Sequence, residues 1–269
     1  MNIVAISVLV LSLIGFLFGV FLSFLSKKLK VAEDERVKNI LDVLPGINCG
    51  ACGFSGCRAF AEAVVKKHDI FSGCIPGGDV VNNKIKGILG LSGSLKSVRR
   101  VAVCHCGAKE GEKKITNDYL GPLTCRAADI TGAAIDCLYG CIGFGDCEKV
   151  CPVGAIKVRE RKVYIDANIC IGCGKCVAAC PRGLFELVDY NKDMPLYYVA
   201  CNNKDKALDV KKVCSRGCIG CGICTRIDKT PFVVKKNLSR IDRNKDVLED
   251  VCDTASAKCP TKCIVKNND

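Results

Sequence analysis

The chain has 269 residues, of which 23 are cysteine, and carries a formal net charge of +12 with aromatics at 6% and no tryptophan. One cysteine in about twelve residues is far above ordinary usage, and an odd count in so long a chain excludes a small secreted disulfide scaffold. Scarce aromatics argue against a base-stacking nucleic-acid surface, so no nucleic-acid partner is expected, and a 25% charged fraction argues against wholesale disorder.

Residues 1–26 carry no charged side chain, and Ile3 to Leu25 run apolar apart from Ser7, Ser12, Ser23, Gly15 and Gly19. A helix of about 20 such residues spans the hydrocarbon layer. The competing reading, a cleaved signal peptide, lacks a basic start and a small-x-small cleavage site. Lys27, Lys28 and Lys30 follow at once. The positive-inside rule therefore predicts one transmembrane anchor in the lipid bilayer of the inner (plasma) membrane, with the bulk of the chain cytoplasmic.

Residues 32–81 are predicted to form a small helical cluster domain. Val37, Ile40, Leu41 and Leu44 share one helical face, and Phe60, Ala61, Val64 and Val65 share another. Between them lies LPGINCGACGFSGC, whose Cys49, Cys52 and Cys57 combine with Cys74 into a set able to close around a [4Fe–4S] cube. A zinc site is the competing reading of such a set. Residues 82–100, NNKIKGILGLSGSLKSVRR, are basic and Gly/Ser-rich. They are expected to be a linker, either a solvated tether or a patch facing anionic headgroups.

Residues 101–194 are predicted to be a bacterial ferredoxin-like domain with two clusters. The run CIGCGKCVAACP at 170–181 is C-x2-C-x2-C-x3-C-P, a highly specific cluster pattern. Upstream, CLYGCIGFGDCEKVCP shares the C-x3-C-P ending but has longer spacings before it. In paired runs the fourth cysteine serves the other cluster. The expected sets are therefore Cys137, Cys141, Cys147 with Cys180, and Cys170, Cys173, Cys176 with Cys151. Between them AIKVRERKVYID reads as two short strands joined by a charged turn.

Residues 195–269 read as a partly degenerate second module. CSRGCIGCGIC at 214–224 aligns with CLYGCIGFGDC at 137–147, with Phe144 where Cys221 stands. Asp228 falls where Cys151 would recur, and counting back from Cys259 meets Ala255, Cys252 and Glu249. One cluster is expected here, held by Cys218, Cys221, Cys224 and Cys259, with Cys214 as an alternative ligand. The total is about four [4Fe–4S] clusters. Outside those sets remain Cys104, Cys106, Cys125, Cys201, Cys214, Cys252 and Cys263. Cys104, Cys106 and Cys125 could hold another metal, but their spacing fits no strong pattern, and spare or buried thiols are the favoured reading. His68 and His105 are taken as structural. No G-x-G-x-x-G follows a strand and no phosphate loop with G-K-[ST] occurs, so no nucleotide site or catalytic residue is expected in this chain alone.

The N-terminal span, then LPGINCGACGFSGC with Cys74, then CLYGCIGFGDCEKVCPVGAI and CIGCGKCVAACP resemble, in that order, the B subunit of the Rnf complex. The resemblance implies an α+β chain in which an N-terminal transmembrane helix and a small helical [4Fe–4S] domain precede ferredoxin-like modules. It further implies a membrane-bound ferredoxin:NAD oxidoreductase, a translocase that couples electron flow to sodium or proton translocation. Within it this chain takes electrons from soluble ferredoxin and relays them, alongside other membrane and peripheral subunits. The alternative function is a membrane reducing system for a redox-sensing transcription factor. Each four-thiolate cube contributes about −2, so four would bring the loaded chain to roughly +4, still suited to steering an acidic carrier.

Overall fold

A computed structural model describes residues 2–28, 34–67, 73–91, 99–116, 118–131, 135–192 and 194–266. Lys30, His68 and positions 92–98 of the expected linker lie outside the described residues. The first helix, α1 (Ile3–Lys28), is apolar all round, and none of its span Ile6–Ser26 is buried against the rest of the chain. Such a surface is matched by hydrocarbon rather than water. Two of its serines bond within the helix, Ser7 Oγ donating to Ile3 O at 2.9 Å and Ser12 Oγ to Val8 O at 2.7 Å.

Three helices then form a small bundle: α2 (Glu35–Val43), α3 (Cys57–Lys67) and α4 (Gly78–Leu89). Asp34 caps α2, its carboxylate accepting the Arg36 N–H at 2.9 Å. Ile40, Phe60, Val64 and Ile85 are completely enclosed. Each such side chain contributes roughly 1.5–3 kcal/mol of burial. The expected linker is corrected here, because residues 82–89 are helix rather than tether. Val81, Ile85, Ile88 and Leu89 recur at helical spacing and dock on this core, and Gly90, at φ 67°, ends the helix.

Two ferredoxin-like units follow on one plan. The first contains β1 (Arg100–Cys104), α5 (Cys125–Thr131), α6 (Asp146–Lys149), β2 (Ile156–Arg159), β3 (Lys162–Ile165), α7 (Lys175–Ala179) and β4 (Phe185–Asp189). The second contains β5 (Tyr197–Val199), α8 (Ala207–Val213), a 3-10 turn at Ile223–Arg226, β6 (Phe232–Lys235), β7 (Leu238–Ile241), α9 (Glu249–Lys258) and β8 (Ile264–Lys266). In each, the outer strands pair antiparallel, β1 with β4 and β5 with β8, and the inner strands form a hairpin, β2 with β3 and β6 with β7. Both hairpins turn on two residues at positive φ, Glu160–Arg161 and Lys236–Asn237. That geometry matches the strand twist.

The units are stitched together by the segment after β1. Gly107 N–H donates to Ala200 O at 2.9 Å, and Ala200 N–H donates to Cys263 O at 2.7 Å. His105 is buried, its Nδ1 2.8 Å from Val199 O of the second unit and its Nε2 2.8 Å from Glu186 Oε2 on β4 of its own unit, so the ring ties the two units together. That is the structural role expected for this histidine.

Candidate iron–sulfur sites

All 23 cysteines are free thiols, and most gather around small, partly open cavities. In the helical bundle, Cys49 and Cys52 sit in the glycine loop, Cys57 opens α3, and Cys74 lies buried before α4. Burial pushes the Cys74 thiol up, and the thiols of Cys49, Cys57 and Cys52 add to the rise. Two asparagines fix the frame. Asn48 Oδ1 accepts the Cys57 N–H at 2.8 Å, and buried Asn82 accepts the Cys74 N–H at 2.6 Å while donating to Cys74 O at 3.2 Å.

In the first ferredoxin unit, Cys151, Cys170, Cys173 and Cys176 line a cavity of about 310 Å³, the set expected from the crossing rule. Ala102 N–H donates to Cys170 Sγ at 3.5 Å. Burial pushes the Cys173 thiol up, with a further push from Cys49.

The neighbouring cavity, about 320 Å³, holds Cys141, Cys147 and Cys180 as expected, but its fourth thiol is Cys125 rather than Cys137. Cys137 lies in a separate cavity with Cys106, Cys201 and Cys214. The reason lies in the register of the motif. CIGFGDC at 141–147 follows the pattern of CIGCGKC at 170–176, with Phe144 in place of the second cysteine and Asp146 in place of Lys175. Cys125, at the start of α5, supplies the missing thiol from 16 residues upstream of Cys141. Residues 125 and 141 share no local spacing pattern, and the visible signal was the Phe144 gap itself.

In the second unit, Cys218, Cys221, Cys224 and Cys259 line a cavity of about 350 Å³, together with Cys263. Cys214, the alternative ligand expected from sequence, does not reach it. Cys263 Sγ lies 3.6 Å from Cys259 Sγ. A hydrogen bond from the Cys263 thiol lowers Cys259 to about 4 and Cys218 to about 6, while Cys263 itself is pushed up by serving both. Cys263 therefore belongs to the sulfur cluster of this cavity without being needed as a fourth ligand. Cys104, whose Sγ donates to Cys106 O at 3.9 Å, and Cys252, wholly enclosed in α9, are buried small side chains.

One loop geometry recurs at these cavities. In C-I-G-x-G-x-C the first glycine, Gly143, Gly172 or Gly220, has positive φ, and an added Cβ would strike backbone of Arg161, Arg100 or Asn237 respectively. The loop therefore lies flat on a strand end or hairpin turn, leaving the cavity to the thiols.

These cavities suit a cuboidal cluster better than one ion. Among the described residues no three Cys, His, Asp or Glu side chains converge closely enough to hold a single metal, as a zinc site requires. The thiols instead ring hollows of nearly equal size, with backbone N–H groups directed at sulfur. Burial holds Cys147 and Cys176 up at about 12. Ligation by these residues must therefore release protons as iron takes over the thiolate charge.

Repeated ferredoxin units carrying successive cysteine-lined cavities define a multi-cluster [4Fe–4S] electron-transfer protein. Residues 140–184 match the 4Fe-4S dicluster domain family, beginning after Cys137, and residues 44–76 match a family described as an Fe-S cluster. The chain is 34% identical to the B subunit of the ion-translocating oxidoreductase complex of Methanosarcina acetivorans, covering 96% of both chains. It is 36% identical to the B subunit of the proton-translocating ferredoxin:NAD(+) oxidoreductase complex of Clostridium ljungdahlii, over 100% of this chain and 95% of that one. Identity to the B subunit of the Na(+)-translocating ferredoxin:NAD(+) oxidoreductase complex of Acetobacterium woodii is 33%, over 98% and 78%. The chain belongs to this family, the B subunits of ion-translocating (Rnf) oxidoreductase complexes.

Proposed function

We propose that this chain is the electron-relay subunit of a membrane-bound ferredoxin:NAD oxidoreductase, accepting electrons from reduced ferredoxin and passing them on to other subunits of the complex that couple the flow to sodium or proton translocation. The observation that carries this reading is the repetition of cysteine-lined cavities through the two ferredoxin units, alongside the thiol set of the helical bundle. The ligand sets are Cys49, Cys52, Cys57 and Cys74; Cys151, Cys170, Cys173 and Cys176; Cys125, Cys141, Cys147 and Cys180; and Cys218, Cys221, Cys224 and Cys259.

A bound [4Fe–4S] cluster supplies reversible one-electron storage. The chain's residues do the rest. Cysteines fix each site, while flat glycine loops and apolar walls keep water out. N–H groups such as those of Ala102, Leu184 and Ser239, aimed at Cys170, Cys180 and Cys218 sulfurs, favour the more negative reduced form. We read the chain as an anchor at 1–26, a cluster unit whose helix extends past residue 81 to Leu89, and ferredoxin units near 101–194 and 195–269. The uncharged span supports a single pass through the inner membrane, and the lysines after it support a cytoplasmic body in contact with lipid headgroups.

Mixing the anaerobic full-length chain with reduced ferredoxin tests the reading. Rapid bleaching of the cluster absorbance is expected, together with interacting low-potential EPR signals and a rate that falls as salt rises. A chain that ferredoxin leaves oxidised sinks the relay.

A further inference from the structure

Four thiols from four separate segments meet in one cavity of about 340 Å³ between the two ferredoxin units: Cys106, Cys137, Cys201 and Cys214. Its volume falls within the range of the cavities already described, about 310 to 350 Å³. The contributions are paired by the internal repeat. Cys106 and Cys201 each stand two residues beyond the end of their unit's first strand, β1 or β5. Cys137 and Cys214 each stand four residues ahead of the first cysteine of a C-I-G loop.

Hydrogen bonding is paired as well. Cys141 N–H donates to Cys106 Sγ at 3.2 Å, and Cys218 N–H donates to Cys201 Sγ at 3.2 Å. Asn203 adds its backbone N–H to Cys201 Sγ at 3.4 Å and its buried side-chain Nδ2 to Cys137 Sγ at 3.6 Å. Three of the four sulfurs therefore already accept N–H donors, as cluster-ligating sulfur does.

Two cations line the same cavity. Lys113 is buried, and its ammonium donates to the backbone carbonyls of Cys141 at 2.8 Å and Arg161 at 2.7 Å, with no carboxylate among the described residues. The half-buried Arg216 guanidinium pairs with Glu112 at 3.7 Å and donates to Lys262 O at 3.0 Å, but its Nε is buried without an acceptor. Buried positive charge and an unanswered N–H donor call for an anion. Four thiolates around a cube, about −2 overall, supply one. A single metal ion does not suit the spread of these side chains.

We propose that Cys106, Cys137, Cys201 and Cys214 hold a further [4Fe–4S] cluster that bridges the two ferredoxin units, with Lys113 and Arg216 balancing its charge. The proposal rests on the electron-relay reading and deepens it. The amide bonds place ligands of both neighbouring sites, Cys141 and Cys218, against this one. One electron leaves the Cys125/Cys141/Cys147/Cys180 site, oxidising it by one as the bridging site is reduced by one. The same electron then moves to the Cys218/Cys221/Cys224/Cys259 site, and no bond forms or breaks. Only Cys104, Cys252 and Cys263 then stand outside the five sets.

The test is iron and acid-labile sulfide per full-length chain, purified anaerobically. Five cubes give about 20 iron atoms, four give about 16. The double variant Cys201→Ala/Cys214→Ala should lose about four irons and one EPR component, while Cys252→Ala keeps the wild-type count. About 16 irons in the wild type, an unchanged count in the double variant, or stoichiometric zinc overturns the proposal. Should the double variant lose every cluster, Arg216→Gln decides. Unchanged iron with one potential moved more negative supports the site, and no movement overturns it. A chain with about 20 irons that ferredoxin does not reduce would sink the relay reading yet leave this site standing.

Discussion

The central and C-terminal ferredoxin units have the same strands and the same hairpin, yet they treat one stretch of chain differently. In the central unit, residues 170–174 form an open loop around a cavity, and α7 is only 5 residues long. The equivalent stretch of the C-terminal unit, Glu249 to Cys259, is occupied by α9, a helix of 10 residues. Positions that carry Cys170, Cys173 and Cys176 in one unit carry Glu249, Cys252 and Ala255 in the other, and the latter two are fully buried. Asp228 stands where Cys151 would be. The comparison shows two ways to complete one core: where the cysteines are replaced, backbone winds into helix and small side chains fill the space.

Cys125 offers the sharpest way to break this comparison. Cys125→Ala should cost about four irons in the intact chain although the residue lies outside the 140–184 dicluster segment. Adding Phe144→Cys should return them by restoring the regular motif. A single variant with wild-type iron would remove Cys125 from its site. Next in size are the loop glycines. Gly172→Ala and Gly220→Ala should each destabilise by about 2–3 kcal/mol, because both have positive φ and the new Cβ would press on Arg100 O or Asn237 O. Gly183→Ala, also at positive φ but with open space around it, should cost only about 1 kcal/mol. Equal denaturation midpoints for all three would refute the close-approach explanation. The smallest effect belongs to Cys252→Ala: about 1 kcal/mol of stability and no iron. Iron loss there would mean that α9 replaces nothing.

Much of this organisation was legible in the sequence because its signals are local. The uncharged run of α1, the C-x2-C-x2-C-x3-C-P motif with Cys151, and the Ile40 and Val64 helical faces each declare themselves within a few residues. The degenerate C-terminal motif was also readable, since a missing ligand at a fixed offset leaves a gap. Cys125 and the set of Cys106, Cys137, Cys201 and Cys214 were not, because their partners are brought together only by tertiary folding. Cys137 lines a different cavity from Cys141, although their spacing groups them in one motif. The α4 helix was obscured by Gly87 and Gly90, although Val81, Ile85, Ile88 and Leu89 carried its period.

The Asn82–Cys74 pair reaches beyond the site it braces. Asn82 contributes no sulfur, yet it holds both the amide and the carbonyl of a ligand residue, and it belongs to a helix that continues to Leu89. A fragment ended at residue 81 would retain all four thiols of the membrane-proximal unit but leave Cys74 without either backbone partner. Iron loading of that unit is thereby hitched to the chain that leads out of it. During synthesis, the first site becomes complete only after the path toward the second has begun to fold.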